Sequence, residues 1–232
     1  MAFAPASKNL FFSKNDPKDP RLGDITQSTT YDELLQVAEK GIVIAGYPDD
    51  EGIQLNGGRP GAKEAPDSVR KYFYKMTPSA LASELPLNLY DIGNLETSSP
   101  LEQRQESIQK LCTPLLEKHQ WVSLGGGHDY AFPDGASFLN SQNSSSTKPL
   151  IINIDAHLDV RPDHAGISSG TPFYKLLNSN EDFDFAEIGI QLQCNSREHL
   201  EWATQKGAKI LSWEEINLSG LAPEIKVLQF LE

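Results

Sequence analysis

Leu150-Ile151-Ile152-Asn153-Ile154-Asp155-Ala156-His157-Leu158-Asp159 joins a buried-strand pattern to a row of ligand-type side chains. The run Leu150 to Ile154 is apolar, rich in β-branched residues and too short for a helix, as expected of a strand covered on both faces of a parallel sheet. Asp155, His157 and Asp159 then recur with a period of two, so an extended backbone would turn two carboxylates and one imidazole to one side. In open parallel sheets ligands gather beyond the carboxyl ends of the strands, where these three stand. Such a set is costly to bury unless it coordinates something, and its mixture suits a divalent metal.

Upstream, the predicted strand Trp121 to Leu124 runs into Gly125-Gly126-Gly127-His128-Asp129. Three glycines allow a sharp turn and a close backbone approach, which would deliver His128 to the same crevice. Alone, this turn could be a phosphate cradle or merely a tight strand-to-helix connection with His128 on its surface. With the second motif on what reads as the successive strand of one sheet, metal ligation by His128, Asp155, His157 and Asp159 is the expectation. Manganese fits the mixture, and iron, zinc and nickel remain compatible with it.

Farther out, strand and helix alternate. Thr30-Tyr31-Asp32-Glu33 has the spacing of a capping box for a helix ending at Gly41, and Ile42 to Ala45 reads as a strand. A helix at Pro66 to Tyr74, a strand at Leu87 to Tyr90 and a long helix from Leu101 to His119 follow. Beyond the polar loop Ser141 to Thr147, strands are predicted at Phe185 to Ile190 and Lys209 to Leu211. Between these two, Asn195-Ser196-Arg197-Glu198 starts a helix that Gly207 stops. This alternation predicts an α/β fold, three-layer α/β/α with a mostly parallel central sheet, and one domain over residues 1–232.

Acidic residues outnumber basic ones 32 to 20, for a formal charge of −12, which argues against nucleic acid and anionic membranes as partners. The expected partner is a small-molecule substrate, with self-association into a homo-oligomer left open. No secretion signal or membrane-length apolar run is visible, so a cytoplasmic protein is expected. Cys112 and Cys194 read as buried thiols of a reducing compartment. Asp49-Asp50-Glu51 reads as solvated loop charge, His119, His164 and His199 as surface or helix-end residues, and Trp121, Trp202 and Trp213 as packing.

GGGHD followed by NIDAHLDVRP resembles the first two metal-binding signatures of the ureohydrolases, which include arginase, agmatinase and formimidoylglutamase. The resemblance implies an arginase-like fold and a two-manganese site. His128 would bind one ion and His157 the other, with Asp155 and Asp159 adding carboxylates, at least one of them bridging, and Asp159 steadying the attacking water as the catalytic residue. Asn56-Gly57-Gly58-Arg59-Pro60-Gly61-Ala62 and Ser168-Ser169-Gly170-Thr171-Pro172-Phe173 look like formimidoylglutamase segments. Phe173 takes the place of a histidine that arginases keep near the catalytic water. Substrate contacts are thereby expected at Arg161, Ser169 and Arg59. Arg161 could fork onto a substrate carboxylate or pair with Asp163 or Asp159, and Arg59 could bind substrate or brace its loop.

The implied reaction is manganese-dependent hydrolysis of a linear amidine, formimidoylglutamate to glutamate plus formamide, a step of histidine degradation. Alternatives are an agmatinase or arginase type of guanidine hydrolase, a deacetylase-like single-metal hydrolase, or a catalytically silent binding or structural member. The family's third signature, a DxD on a later strand, is expected after a helix such as Pro223 to Glu232, where this sequence ends. The expectation is therefore a C-terminally incomplete domain that lacks the last strands, leaves a sheet edge open and holds the second ion weakly or not at all.

Overall fold

The computed structural model describes residues 3–78, 88–142, 146–179 and 181–232. In chain order the elements are β1 (Phe3–Ala4), α1 (Leu22–Ile25), β2 (Thr26–Ser28), α2 (Tyr31–Gln36), β3 (Ile42–Gly46), α3 (Glu51–Leu55), α4 (Ala65–Phe73), β4 (Leu89–Leu95) and α5 (Leu101–Leu116). Then come β5 (Gln120–Leu124), α6 (Ala131–Ser141), β6 (Leu150–Ile154), α7 (Pro172–Leu177), β7 (Asp184–Ile190), α8 (Arg197–Gln205), β8 (Lys209–Ser212), α9 (Trp213–Leu218) and α10 (Pro223–Leu231). Every predicted strand and helix has a counterpart. The capping box at α2 forms, with the Thr30 hydroxyl accepting from the Glu33 amide, but that helix stops at Gln36 because Val37 is extended. Leu87, where the β4 prediction began, and residues 143–145 of the polar loop lie outside the described residues.

The strands do not form one continuous sheet. One sheet has the order β1-β4-β3-β5, with β2 also on β4, and the other has the order β6-β7-β8. All pairings are parallel except that of β1 with β4. The expectation that the glycine-turn strand and the DxHxD strand belong to one sheet is thus corrected among the described residues: β5 pairs only with β3, and β6 only with β7. Their apolar residues Val122, Leu150, Ile152 and Ile154 are exposed. An apolar run reports that a strand wants cover, and says nothing about which strand supplies it.

Each sheet has its own core. Val43, Ala45, Ile92 and Leu95 pack with Ile108, Cys112 and Leu115 of α5, while Phe185 and Ile190 of β7 pack with Leu139, Phe173, Leu176 and Ala203 from α6, α7 and α8. Helix α6 contacts both α5 and α7, so it links the two halves. Helix α4 is fastened to β4 by Arg70 and Asp91, both fully buried, with Nε–Oδ2 and Nη2–Oδ1 distances of 2.8 and 2.9 Å. That pair holds Pro66 against the turn that follows β5, where a Cβ on Gly125 would lie 2.5 Å from Pro66 Cδ.

Several single-residue expectations are corrected. Cys112 is buried, but Cys194 is exposed on the short turn after β7. His119 lies just past the end of α5 as expected of a helix-end residue, but it is buried, edge-on to Tyr90. Trp121 and Trp202 pack against the cores as expected, whereas Trp213 is exposed. No helix of the described residues is long and apolar enough to cross a membrane.

Candidate metal centre

The glycine turn after β5 uses left-handed backbone at Gly125 and Gly126, with φ of 74° and 78°. A Cβ on Gly126 would sit 3.0 Å from Tyr130 Cδ2, Tyr47 Cβ and the Tyr47 carbonyl. Both the backbone and the space therefore call for glycine, and Gly126→Ala is expected to cost about 1–2 kcal/mol in urea unfolding. An unchanged unfolding midpoint would contradict this. The turn leads into a 3-10 turn beginning at His128.

Beyond β6 the chain does not stay extended. Residues 155–157 bend, the Asp155 carboxylate accepts the His157 amide at 3.0 Å, and Asp159 adopts φ of 45°. Few side chains other than Asn and Asp tolerate that conformation, and here it swings the second aspartate back toward the first. Asn195 stitches the bend in place, accepting from the Leu158 amide and donating to the carbonyls of Ala156 and Gln191, each at 2.9 Å.

His128, Asp155 and Asp159 consequently meet. Their ligand atoms lie within 4.8 Å of one another, with His128 Nδ1 2.8 Å from Asp159 Oδ2 and 3.3 Å from Asp155 Oδ2. His157 does not join them: its side chain is 57% exposed, and its Nδ1 reaches only Asp155 Oδ1, at 3.6 Å. The expected period of two placed all three DxHxD side chains together, and the bend separates the middle one.

Burial alone would lower the His128 pKa, but hydrogen bonds to Asp155 and Asp159 outweigh it and raise it to about 9. The same contact with His128 draws Asp155 down to about 2. Two carboxylates around one imidazole supply more negative charge than one histidine proton balances. Oxygen and nitrogen donors of this kind fit a divalent cation such as manganese, and these three would hold one ion.

The ring of Phe173 covers His128 edge-on, with centroids 5.4 Å apart, and the Phe173 amide donates to the Asp159 carbonyl at 3.2 Å. Arg161 donates from Nη1 to Asn56 Oδ1 at 3.0 Å, and Asn56 Nδ2 donates to Ser169 Oγ at 3.1 Å. No described acidic side chain lies within ion-pair distance of Arg161, so the expected alternatives of pairing with Asp163 or Asp159 are not realised. Arg161, Asn56 and Ser168 line a cleft of about 450 Å³ with Leu101, Pro162 and Thr171. Arg59 is exposed in the neighbouring loop and does not line that cleft.

Asp49 and Asp50 are corrected from solvated loop charge to buried anchors. Asp50 accepts the amides of Gly61 and Lys63, both at 3.0 Å, which fixes the glycine-rich loop. Asp49 pairs with Arg104 at 2.9 Å and accepts from the Tyr130 hydroxyl. Glu51 also meets Arg104. Sequence reasoning missed Asn153 and Glu187 as well. Register partners on β6 and β7, they bond at 2.7 Å beneath the centre, and Asn153 also reaches the His157 carbonyl at 3.5 Å. A polar residue inside each apolar strand run was the available signal.

Residues 40–230 match the model of the arginase family. The chain is 35% identical over 188 residues to the formimidoylglutamase of Staphylococcus carnosus, covering 80% of this chain and 58% of that one. It is 32% identical over 218 residues to the formimidoylglutamase of Staphylococcus haemolyticus, covering 92% and 67%. Among solved structures, Trypanosoma cruzi formiminoglutamase with manganese superposes with a TM-score of 0.74 at 27% identity, over 90% of this chain and 70% of that one. The chain thus spans between 58% and 70% of the length of these relatives.

Proposed function

The chain belongs to the arginase family, and from that premise we propose that it hydrolyses the C–N bond of a linear amidine carried by an acidic substrate, best matched by formimidoylglutamate. The observation that carries this reading is Arg161, a guanidinium two residues beyond Asp159 that is held by a neutral amide and paired with no described carboxylate. A free fork of this kind accepts a substrate carboxylate in bidentate fashion.

In the proposed reaction water adds to the formimidoyl carbon, the bond from that carbon to the glutamate nitrogen breaks, and that nitrogen gains a proton. The products are glutamate and formamide. A bound manganese would supply Lewis acidity and bring the pKa of a water near neutrality. His128, Asp155 and Asp159 would hold the ion. The Asp159 carboxylate would also accept a hydrogen bond from the attacking water and steady it, while Arg161 and Ser169 would fix the acid end of the substrate. Phe173 carries no transferable proton and shields one side of His128, so proton movement falls to the carboxylates.

The test is manganese-dependent release of formamide from formimidoylglutamate, compared with agmatine and arginine. Turnover of the first alone is the expected result. Hydrolysis of arginine or agmatine in preference would overturn the substrate reading, and no turnover of any of the three would overturn the reaction class. A second reading, a family member that binds metal without turnover, is favoured by the separation of His157 from the other donors. Two bound manganese ions per chain together with turnover would dismiss it.

A further inference from the structure

We propose that Asn56 is a positioning residue that holds Arg161 without a counter-charge and aims it at an anionic substrate, which makes this side chain a determinant of acid selectivity. The inference rests on the amidine-hydrolase reading above for the identity of the substrate. Asn56 is half-buried at the end of α3, and both ends of its amide are engaged: Oδ1 accepts from Arg161 Nη1 at 3.0 Å and Nδ2 donates to Ser169 Oγ at 3.1 Å. The side chain therefore has one orientation, because exchanging its oxygen and nitrogen would face a donor to the guanidinium.

The backbone around Asn56 is equally determined. The Ser169 amide donates to the Gly52 carbonyl at 2.9 Å, and the Gly58 amide to the Ile53 carbonyl at 2.8 Å. Asp50 holds the far end of the loop through Gly61 and Lys63. On the other side the Arg161 amide donates to the Gly170 carbonyl at 2.8 Å, and a Cβ on Gly170 would lie 3.0 Å from Arg161 Cδ and 3.2 Å from Asn56 Nδ2. The loop of α3, the chain after Asp159 and the Ser168 to Thr171 turn are thereby locked together at one point.

The chemistry of the amide matters as much as its place. A carbonyl oxygen can hold a guanidinium hydrogen without cancelling its charge, whereas a carboxylate there would satisfy the cation and compete with an incoming anion. Of the two acidic residues on the cleft wall, Glu51 meets Arg104 and Glu102 lies in the first turn of α5, so Arg161 keeps its charge for a ligand. Asn56 touches Arg161 rather than the reacting carbon, so its loss should appear in affinity for the acid end and leave the chemical step intact.

The experiment uses the full chain with manganese and compares wild type, Asn56→Asp and Asn56→Ala. Binding of L-glutamate is measured by calorimetry, and turnover is measured on formimidoylglutamate and on N-propylformamidine, which has the amidine without the carboxylates. Asn56→Asp is expected to weaken glutamate about tenfold or more and to raise KM for formimidoylglutamate alike, with a much smaller effect on kcat and on the propyl analogue. Asn56→Ala, which frees the guanidinium but adds no charge, should move the same quantities in the same direction by less. Equal glutamate affinity in wild type and Asn56→Asp overturns the proposal, as does a loss shared equally by the propyl analogue, or failure of the wild type to bind glutamate. If glutamate binds and Asn56 governs it while no amidine is hydrolysed, the reaction reading fails and the positioning role stands.

Discussion

Asp155→Asn is expected to lower the affinity of the chain for manganese on the order of 100-fold or more, and to remove any manganese-dependent hydrolysis with it. Asp155 is the one side chain that both histidines of the two motifs approach, through Oδ2 to His128 at 3.3 Å and Oδ1 to His157 at 3.6 Å. Asparagine keeps the volume and can still accept the His157 amide that shapes the bend, so the variant removes charge rather than the fold. The negative charge is what the site has in excess of its single histidine, and what a divalent cation requires. His157→Ala should lower affinity less, because that ring stands apart from the three donors. Manganese titration at constant pH, with circular dichroism to verify folding, makes the comparison. Undiminished affinity in Asp155→Asn would remove Asp155 from the metal centre.

How much of this centre could be read in advance varies by residue, for physical reasons. The glycine turn was legible because positive φ at Gly125 and Gly126 demands glycine, and the turn brings His128 where it was expected. The DxHxD row was legible as a set of donors, but its geometry was not. Period two holds only while the backbone is extended, and here a bend and a left-handed Asp159 replace it. Asp49 and Asp50 were misread because an acidic pair in a loop looks solvated until the amides of Gly61 and Lys63 and the guanidinium of Arg104 are known to face it. The separation of β5 from β6 was invisible for a related reason: residue pattern sets the exposure a strand seeks, while the partner is set by the rest of the sheet. Asn56 carried no sequence signal beyond its place in a glycine-rich segment, because its role depends on Ser169 and Arg161, both remote in the chain.

Glu187→Gln is expected to stabilise the metal-free protein by about 2–3 kcal/mol at pH 9 and to leave its stability near pH 5 almost unchanged. The Glu187 carboxyl is fully buried in β7, accepts from Asn153 at 2.7 Å through Oε2 and has no partner for Oε1. Burial raises its pKa from 4.5 to about 8, offset only in part by the Asn153 bond and reinforced by the charge of Asp159. The folded chain therefore holds a proton that the unfolded chain has already released, so stability falls as pH rises through this window and levels off above it. Asp129 and Asp134, raised to about 6 mainly by burial, act with the same sign but are spent at lower pH. His128, raised to about 9 despite its burial by its bonds to Asp155 and Asp159, adds stability at low pH that is also lost on the way to pH 9. The glutamine variant keeps that histidine share, so the difference between the two proteins, rather than the slope of either, isolates Glu187. Urea unfolding with EDTA between pH 5 and 9 measures it. Parallel curves for wild type and Glu187→Gln would show that the buried carboxyl titrates normally. Divergence that opens above about pH 5 and levels off above about pH 8 would place an uncharged acid beneath the bend that carries the metal ligands, held there to anchor Asn153 without adding a further negative charge to the centre.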